Sequence, residues 1–392
     1  MDGVAGSMRQ RGTESWELRV HIGRDPETGK KQYATRTVRG SRREAERALA
    51  RLVAEVEDGA VAVRAGTVAE LCERWFSRVE PDLSPTTAHG YRLLLDRRIL
   101  PRFGDTPLRR LRTSDLDQWY SELRRRGGAG GRPLAPNTVM RVHAVLHRAL
   151  AQALRWGWIT TNPAANATPG RPRRSDISPP SPEDVIRLVE AAGRINPGLP
   201  VFLRLAAATG ARRGELCALR WREVDLGARQ LTIGRALAQV GRQVIEKGTK
   251  THATRRIGLD AGTIDALQAH RRRAEELARQ AGRRLPADAF VFSHAVDGTS
   301  PWRPGYVTVA FTRLRNELGV PVRLHDLRHF TATRLLAAGT DVRTVSGRLG
   351  HANAGTTLNV YAHFLESADH DAADTIGQLL DRPPHPRETS RK

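Results

Sequence analysis

Side chains suited to chemistry on a phosphate occur in four segments of the second half of the chain. Arg212 lies in a turn that follows an apolar run and precedes a predicted helix with Glu215 in its first turn. Lys247 and Lys250 lie in a predicted β stretch, although lysine supplies only five of the 64 basic residues. Lysine can release a proton at an accessible pH and arginine effectively cannot. This placement therefore favours a role in proton transfer over the alternative, two solvated lysines at the tip of the β stretch.

Histidine, arginine and tyrosine come from the other two segments. His325 and Arg328 are three residues apart, so they share one face of a predicted helix. His351 precedes Tyr361 by ten residues, and Tyr361 lies in a predicted helical run, Thr356–Leu365. Cationic donors stabilise the charge that grows on a pentacoordinate phosphate. Tyrosine, with a free pKa of about 10, can attack phosphorus and form a covalent phosphodiester. Such an intermediate keeps the bond energy, so strands could be rejoined without a cofactor.

Metal and nucleotide sites are disfavoured by the same residues. His325 and His329 have the spacing of a zinc pair, and His351 and His363 follow, but the HExxH pattern is missing and arginines crowd these histidines. The glycines between Gly23 and Gly29 lack the spacing of a phosphate-binding loop. We therefore expect neither a metal nor a cofactor.

Taken together, the four segments resemble the tyrosine recombinase (phage integrase) family in order and spacing. The sequences that carry the resemblance are TGARRGELCALRW at 209–221, KTHATRRIGL at 250–259, HDLRH at 325–329, and LGH at 349–351 with Tyr361 downstream. The resemblance implies that Tyr361 attacks the scissile phosphate, forms a 3′-phosphotyrosyl link and frees a 5′-hydroxyl. It also implies that Arg212 and Arg328 hold the non-bridging oxygens.

Three further roles follow from the resemblance. Lys250 would protonate the leaving 5′-oxygen, His325 would serve in acid–base transfer on the tyrosine side, and His351 would hydrogen-bond the phosphate. Lys250 fits the family pattern better than Lys247, because it opens a Lys-Thr step five residues before the Arg255-Arg256 pair.

Composition agrees with a nucleic-acid partner. The 392 residues carry a formal charge of +22, and neutralising phosphates with such an excess releases condensed counterions. An anionic membrane is the weaker alternative, since no run approaches the ~18 apolar residues of a bilayer span and no signal peptide is apparent. Cys72 and Cys217 are too few for a disulfide framework. We expect a soluble bacterial protein, cytoplasmic and associated with the nucleoid.

Residues 1–60 are expected to form an arm-type DNA-binding domain, a three-stranded sheet plus a helix. Trp16–Ile22 and Gln32–Val38 alternate as strands do, and Ser41 to Glu44 reads as a capping box for a helix that ends near Glu57. Residues 65–165 are expected to form a helical, SAM-like core-DNA-binding domain, in which Thr113–Arg126 is a predicted amphipathic helix. The segment 65–174 carries a net charge of +10.

A linker is expected at 166–180, a catalytic domain at 181–380 and a disordered tail at 381–392. The catalytic domain reads as α-rich and mixed α+β, with its strands between about 230 and 259. There, Val244–Thr251 is predicted to form a hairpin with Arg255–Leu259, and Phe330–Ala338 is predicted to be helical.

A site-specific integrase of a phage or mobile element is the function that the resemblance implies. It would act as a homotetramer on attachment sites in double-stranded DNA, with host DNA-bending or directionality factors as further partners. The alternatives are a DNA-binding regulator with a silent active site, and a type IB topoisomerase or transposase that shares the chemistry.

Overall fold

The computed structural model describes residues 6–24, 31–57, 66–170, 179–248 and 254–350, together with 355, 376, 377 and 380. The chain divides into two compact units, Met1–Arg174 and Ser175–Lys392. Within the described ranges, no helix is both long enough and apolar enough to cross a bilayer.

An antiparallel sheet in the order β1-β2-β3 opens the first unit. Its elements are β1 (Gly6–Gly12), β2 (Ser15–Arg24), β3 (Lys31–Arg39) and the following helix α1 (Arg42–Glu57). The apolar side of the alternating strands packs on α1, with Leu18 and Val20 fully buried. The predicted capping box is confirmed, because the Ser41 N–H donates to the Glu44 carboxylate (2.7 Å) and the Glu44 N–H to the Ser41 hydroxyl (3.4 Å).

Helices make up the rest of the first unit. They are α2 (Val68–Val79), α3 (Pro85–Leu94), α4 (Leu100–Phe103), α5 (Thr113–Arg126) and α6 (Pro136–Arg155), with a π-helical turn (Leu95–Ile99) before α4. Apolar residues at helical spacing meet in one core, in which Leu71, Tyr120 and Leu146 are fully buried. The predicted helix at Thr113–Arg126 is found with those bounds.

The second unit surrounds a core that contains Phe202, Phe292 and Phe311. Its helices are α7 (Pro182–Ala192), α8 (Leu199–Thr209), α9 (Arg213–Ala218), α10 (Ala261–Gln280), α11 (Pro304–Glu317), α12 (Asp326–Ala337) and α13 (Val342–Leu349). Its strands are β4 (Val224–Asp225), β5 (Gln230–Ile233), β6 (Arg235–Val240), β7 (Gln243–Gly248) and β8 (Arg255–Gly258). The predicted fold class is confirmed: a small sheet with a helix, an all-helical part, and an α-rich mixed α+β part.

The predicted hairpin between Val244–Thr251 and Arg255–Leu259 is wrong. Strand β7 pairs with β6, whereas β8 pairs with β5. The pair Val240–Gln243 leaves a two-residue turn, and Gly241 takes a φ of 58° there, as tight hairpin turns require. Strand β7 therefore belongs to a local hairpin with β6, and β8 pairs instead with β5, a strand of the main core.

Candidate functional site

Arg212 is positioned by the junction of two helices. Helix α8 ends at Gly210, whose φ of 64° suits glycine, and a Cβ there would lie 2.4 Å from a Leu349 methyl carbon. Two residues later the Arg212 N–H donates to a Glu215 carboxylate oxygen (2.8 Å), which starts α9. The sequence thus folds a sharp turn that presents the Arg212 guanidinium, with its side chain about one-third exposed.

The Glu215 carboxylate binds two arginines. It is 1% exposed and accepts from Arg212 Nη1 (3.0 Å) and from Arg255 Nη2 (2.6 Å). Burial raises the pKa of Glu215, but the Arg255 hydrogen bond and the two guanidinium charges lower it more, so the pKa is below its usual range. A charged carboxylate therefore fixes Arg212 from one side and ties it to β8.

Both arginines also reach the end of α13. Arg255 Nε donates to the Arg348 carbonyl (3.0 Å), and Arg212 Nη2 donates to the Gly350 carbonyl (3.2 Å). Gly350 ends α13 with a φ of 67°. These bonds join the Arg212 turn, β8 and the residue that directly precedes His351 in sequence.

Arg328 is brought to the same place by α12. Its side chain is almost fully buried, and its Nη1 donates to the Gly210 carbonyl (2.6 Å). The Thr331 hydroxyl, one turn further along α12, donates to the Ala207 carbonyl (2.7 Å). The helix predicted to carry His325 and Arg328 and to continue through Phe330–Ala338 spans Asp326–Ala337, and His325 directly precedes its first residue. The Asp326 carboxylate accepts the Arg323 N–H (2.7 Å) in the turn before the helix.

His325 lies directly before α12 and is held in a cationic environment. Burial, followed by the charge of Arg328, lowers the pKa of this imidazole, and Asp326 opposes the shift only in part. Burial and the neighbouring His325 lower the pKa of His329 to about 4. The ring centroids of the two histidines are 5.2 Å apart. Both imidazoles are therefore mainly neutral at neutral pH, which leaves His325 able to accept a proton.

One cavity of about 560 Å³ collects these groups. It lies between α8, α9, α11 and the segment 323–328, and Arg212, His325 and Arg328 all line it. The structure thus brings together three of the six predicted site residues. The other three, Lys250, His351 and Tyr361, lie outside the described residues, as does the predicted helical run Thr356–Leu365.

Sequence reasoning did not assign Glu215 and Arg255 to the site. The only signal for Glu215 was its position three residues after Arg212, which also occurs at ordinary helix starts. Nothing in the spacing of Arg255 indicated that it would meet a carboxylate 40 positions earlier. In the ranges that the structure covers, no cluster of three or more His, Cys, Asp or Glu could hold a metal ion.

Comparison with known families agrees with this fold. Residues 181–367 match the model of the phage integrase family, and residues 67–124 match the model of the phage integrase N-terminal SAM-like domain. The two models together span more than half of the chain. The chain therefore belongs to the phage integrase family of tyrosine recombinases.

Relatives with similar sequences and a solved structure with a similar fold accompany these matches. The chain is 26% identical to a XerC-like tyrosine recombinase of Caldanaerobacter subterraneus, over 69% of this chain and 72% of the relative. It is 23% identical to the ICEBs1 integrase of Bacillus subtilis, over 93% and 97% of the two chains. The Tn1549 transposon integrase, solved in complex with a circular intermediate DNA, has a similar fold, with a TM-score of 0.65, 22% identity, and coverage of 79% and 99%.

Proposed function

We propose that this tyrosine recombinase cuts and rejoins duplex DNA through a phosphotyrosyl intermediate at the cavity described above. The observation that carries the proposal is that Arg212, His325 and Arg328 line one cavity whose lining contains no carboxylate among the described residues. Such a cavity favours an anion. Fixed guanidinium donors stabilise the extra negative charge of a pentacoordinate phosphate without reorganising during the reaction.

The proposed step balances without an outside reactant. The Tyr361 oxygen bonds to phosphorus while the bond from phosphorus to the 5′-oxygen breaks, and that oxygen keeps the electron pair. His325 takes the phenolic proton, and Lys250 gives a proton to the leaving oxygen. Arg212 and Arg328 bind the non-bridging oxygens. Attack by a 5′-hydroxyl on the phosphotyrosine reverses the step and rejoins a strand.

His351 is the sixth member of the proposed site and would donate a hydrogen bond to the phosphate. Gly350, whose carbonyl accepts a bond from Arg212, directly precedes it. This connection supports the proposal that His351 and Arg212 act on the same group.

The pH dependence of cleavage tests the role of His325. Because the pKa of this imidazole lies below the ordinary 6.5, its neutral form prevails above that pH and is lost as the pH falls. We expect the single-turnover rate at subsaturating DNA, which reports the pKa values of the free protein, to fall on the acid side with a midpoint below pH 6.5, and His325→Gln to remove that limb. The exposed His89→Gln is the control. A midpoint above pH 6.5, or an unchanged limb in His325→Gln, contradicts the assignment.

Replacing Lys250 tests the leaving-group proton. Lys250→Ala should slow cleavage of ordinary DNA by about 10²- to 10⁴-fold, the usual contribution of a positioned acid. A 5′-thio leaving group needs no proton, so that substrate should be cleaved at nearly the wild-type rate. The same pair of substrates applied to Lys247→Ala tests the neighbouring lysine. Equal slowing of both substrates by Lys250→Ala would show that Lys250 is not the acid.

The first unit is proposed to bind DNA outside the cleavage point. We assign the arm-type domain to residues 1–60, the core-binding domain to 65–165, the linker to 166–180, the catalytic domain to 181–380 and a tail to 381–392. The net charge of +10 between residues 65 and 174 supports a role on the phosphate backbone.

Assembly follows from the stoichiometry of strand exchange. Each proposed site has one nucleophile and cleaves one strand, whereas exchange between two duplexes requires four cleavages. Four protomers on two attachment sites satisfy this count. The proposed reaction is the integration or excision of a phage or mobile element at chromosomal DNA in the bacterial cytoplasm, and host DNA-bending or directionality factors are proposed to assist it.

A nicked suicide substrate is the direct test of the proposed function. A short oligonucleotide between the cleavage point and the nick diffuses away after attack, so the covalent complex accumulates. A protein–DNA adduct that survives denaturation is expected with any duplex that carries the attachment site. Duplex binding without an adduct on such substrates would identify a DNA-binding protein with a silent site.

A further inference from the structure

The cavity continues beyond the three predicted site residues. Three more arginines line it, namely Arg213, Arg315 and Arg323, so five arginines line one space of about 560 Å³. A water occupies roughly 30 Å³ of liquid, and a phosphate group is a few times larger than that. The space therefore exceeds what one phosphodiester held by Arg212 and Arg328 would fill.

One face of α11 forms the wall of this additional space. Thr308, Phe311, Thr312 and Arg315 follow one another at helical spacing and all line the cavity. The Arg213 guanidinium donates to the Thr308 hydroxyl, which holds it against α11. Arg213 is thus fixed by a neutral partner, next in sequence to the proposed catalytic Arg212.

The positive charges of Arg213, Arg315 and Arg323 are only partly compensated by nearby carboxylates. In the described part of the chain, no carboxylate lies within ion-pair distance of Arg213, which is exposed. Arg315 Nη1 donates to the Val322 carbonyl (2.9 Å), and its buried Nε has no hydrogen-bond partner among the described residues. Arg323 is paired with Asp326, but its side chain remains 72% exposed. The exposed guanidinium groups of Arg213 and Arg323 keep donors that suit a second anion.

The apolar floor of the cavity strengthens the attraction between these guanidinium groups and an anion. Phe202, Ala206, Phe311 and Leu327 are apolar and buried, and they line the same space. A less polar surrounding strengthens the attraction between a guanidinium and a phosphate. An anion bound here would be held more firmly than on an open basic surface.

We propose that Arg213, supported by Arg315 and Arg323, binds the phosphodiester adjacent to the scissile one on the cleaved strand. This inference rests on the proposed function and deepens it. A contact to the neighbouring phosphate carries no base information but fixes the register of the strand. Arg213 is then a positioning residue that sets which phosphate reaches Arg212 and Arg328.

Replacing single phosphates of the DNA with a neutral analogue tests whether Arg213 binds the adjacent phosphodiester. A methylphosphonate is placed, one position at a time, at each of the two phosphates on either side of the cleavage point of a suicide substrate. In the wild type, one adjacent position should slow adduct formation about tenfold or more, the usual effect of losing a charge-assisted hydrogen bond. In Arg213→Gln the same position should change the rate less than about threefold, while substitution at other positions keeps its wild-type effect.

Two controls separate a specific contact from the loss of one charge. Arg279→Gln removes an exposed arginine on α10 and should leave the methylphosphonate pattern unchanged. Arg213→Lys keeps the charge and should restore part of the sensitivity. The slope of log affinity against log salt should become shallower by about 0.9 in Arg213→Gln, as expected for one lost phosphate contact.

The outcomes distinguish failure of the second phosphate contact from failure of the proposed function. A wild-type adduct with equal methylphosphonate sensitivity in Arg213→Gln overturns the second phosphate contact and leaves the proposed function intact. Inorganic phosphate that slows the wild type but not Arg213→Gln, without any position-dependent effect of the methylphosphonates, would assign the donors to a free anion and also overturn it. Absence of any wild-type adduct removes the proposed function itself.

Discussion

Tyr361→Phe will abolish the covalent protein–DNA adduct and leave duplex binding nearly unchanged. The substitution removes one oxygen atom, and that oxygen is the only atom of the side chain able to bond to phosphorus. The cationic groups that bind the phosphate backbone all remain, so the affinity for DNA should stay within about threefold of wild type, since phosphate contacts supply most of the affinity. Adduct formation on a nicked suicide substrate and binding by fluorescence anisotropy measure the two quantities.

A matched control is available within the chain. Tyr306 lies on α11, and its hydroxyl accepts a hydrogen bond from Asn196 (3.0 Å). Tyr306→Phe removes that hydroxyl and should leave adduct formation intact. An adduct formed at a comparable rate by Tyr361→Phe would exclude Tyr361 as the nucleophile. Loss of both adduct and binding would instead indicate that the substitution disturbs the structure.

Glu215→Gln will destabilise the second unit and slow cleavage together. The carboxylate is 1% exposed and neutralises two guanidinium groups, so its loss leaves partly buried positive charge without a partner. Removing one partner of a buried ion pair costs about 3–5 kcal/mol of the free energy of unfolding. Since the pKa of Glu215 is lowered, this contribution is present above the ordinary carboxyl pKa and is lost as the pH falls through the lowered value.

The catalytic effect should exceed what stability alone explains. Arg212 loses the carboxylate that orients it, and a displacement of about 1 Å in a catalytic group can slow a reaction about 10²-fold. Urea unfolding gives the stability, and adduct formation at a temperature where the variant is folded gives the rate.

Glu276→Gln is the control for Glu215→Gln. It removes a carboxylate that pairs with an arginine three residues away on the surface, where such pairs contribute about 1 kcal/mol or less. A change in unfolding free energy for Glu215→Gln as small as for Glu276→Gln would contradict the buried network. So would a folded Glu215→Gln that cleaves at the wild-type rate.

Local patterns predicted the helices well because their causes are local. The bounds of Thr113–Arg126 and the start after Ser41 follow from apolar spacing and from capping side chains within a few residues. The sequence did not indicate which strand pairs with β7, the strand that carries Lys247, because several segments between 230 and 259 can form strands. The two-residue turn at Gly241 joins β6 to β7 and so favours that pair.

The candidate site shows the same division between local and distant causes. The order of the motifs predicted that Arg212, His325 and Arg328 serve one site, and all three line one cavity. The Glu215–Arg255 pair could not be foreseen, since it depends on how β8 packs beside α9. The sequence also did not predict that α11 lines the cavity, because Thr308 and Arg315 belong to an ordinary amphipathic pattern. Lys250, His351 and Tyr361 remain predictions.

A structure of the covalent complex, trapped on a nicked suicide substrate, would show which residue bonds to the phosphate and which side chains hold it. We expect one phosphate bonded to the Tyr361 oxygen, with its non-bridging oxygens within hydrogen-bond distance of the Arg212 and Arg328 guanidinium groups. His325 should lie beside the phosphotyrosine, whether the tyrosine comes from the same or a neighbouring protomer. A phosphate attached to another residue, or bound away from these two arginines, would contradict the proposed mechanism.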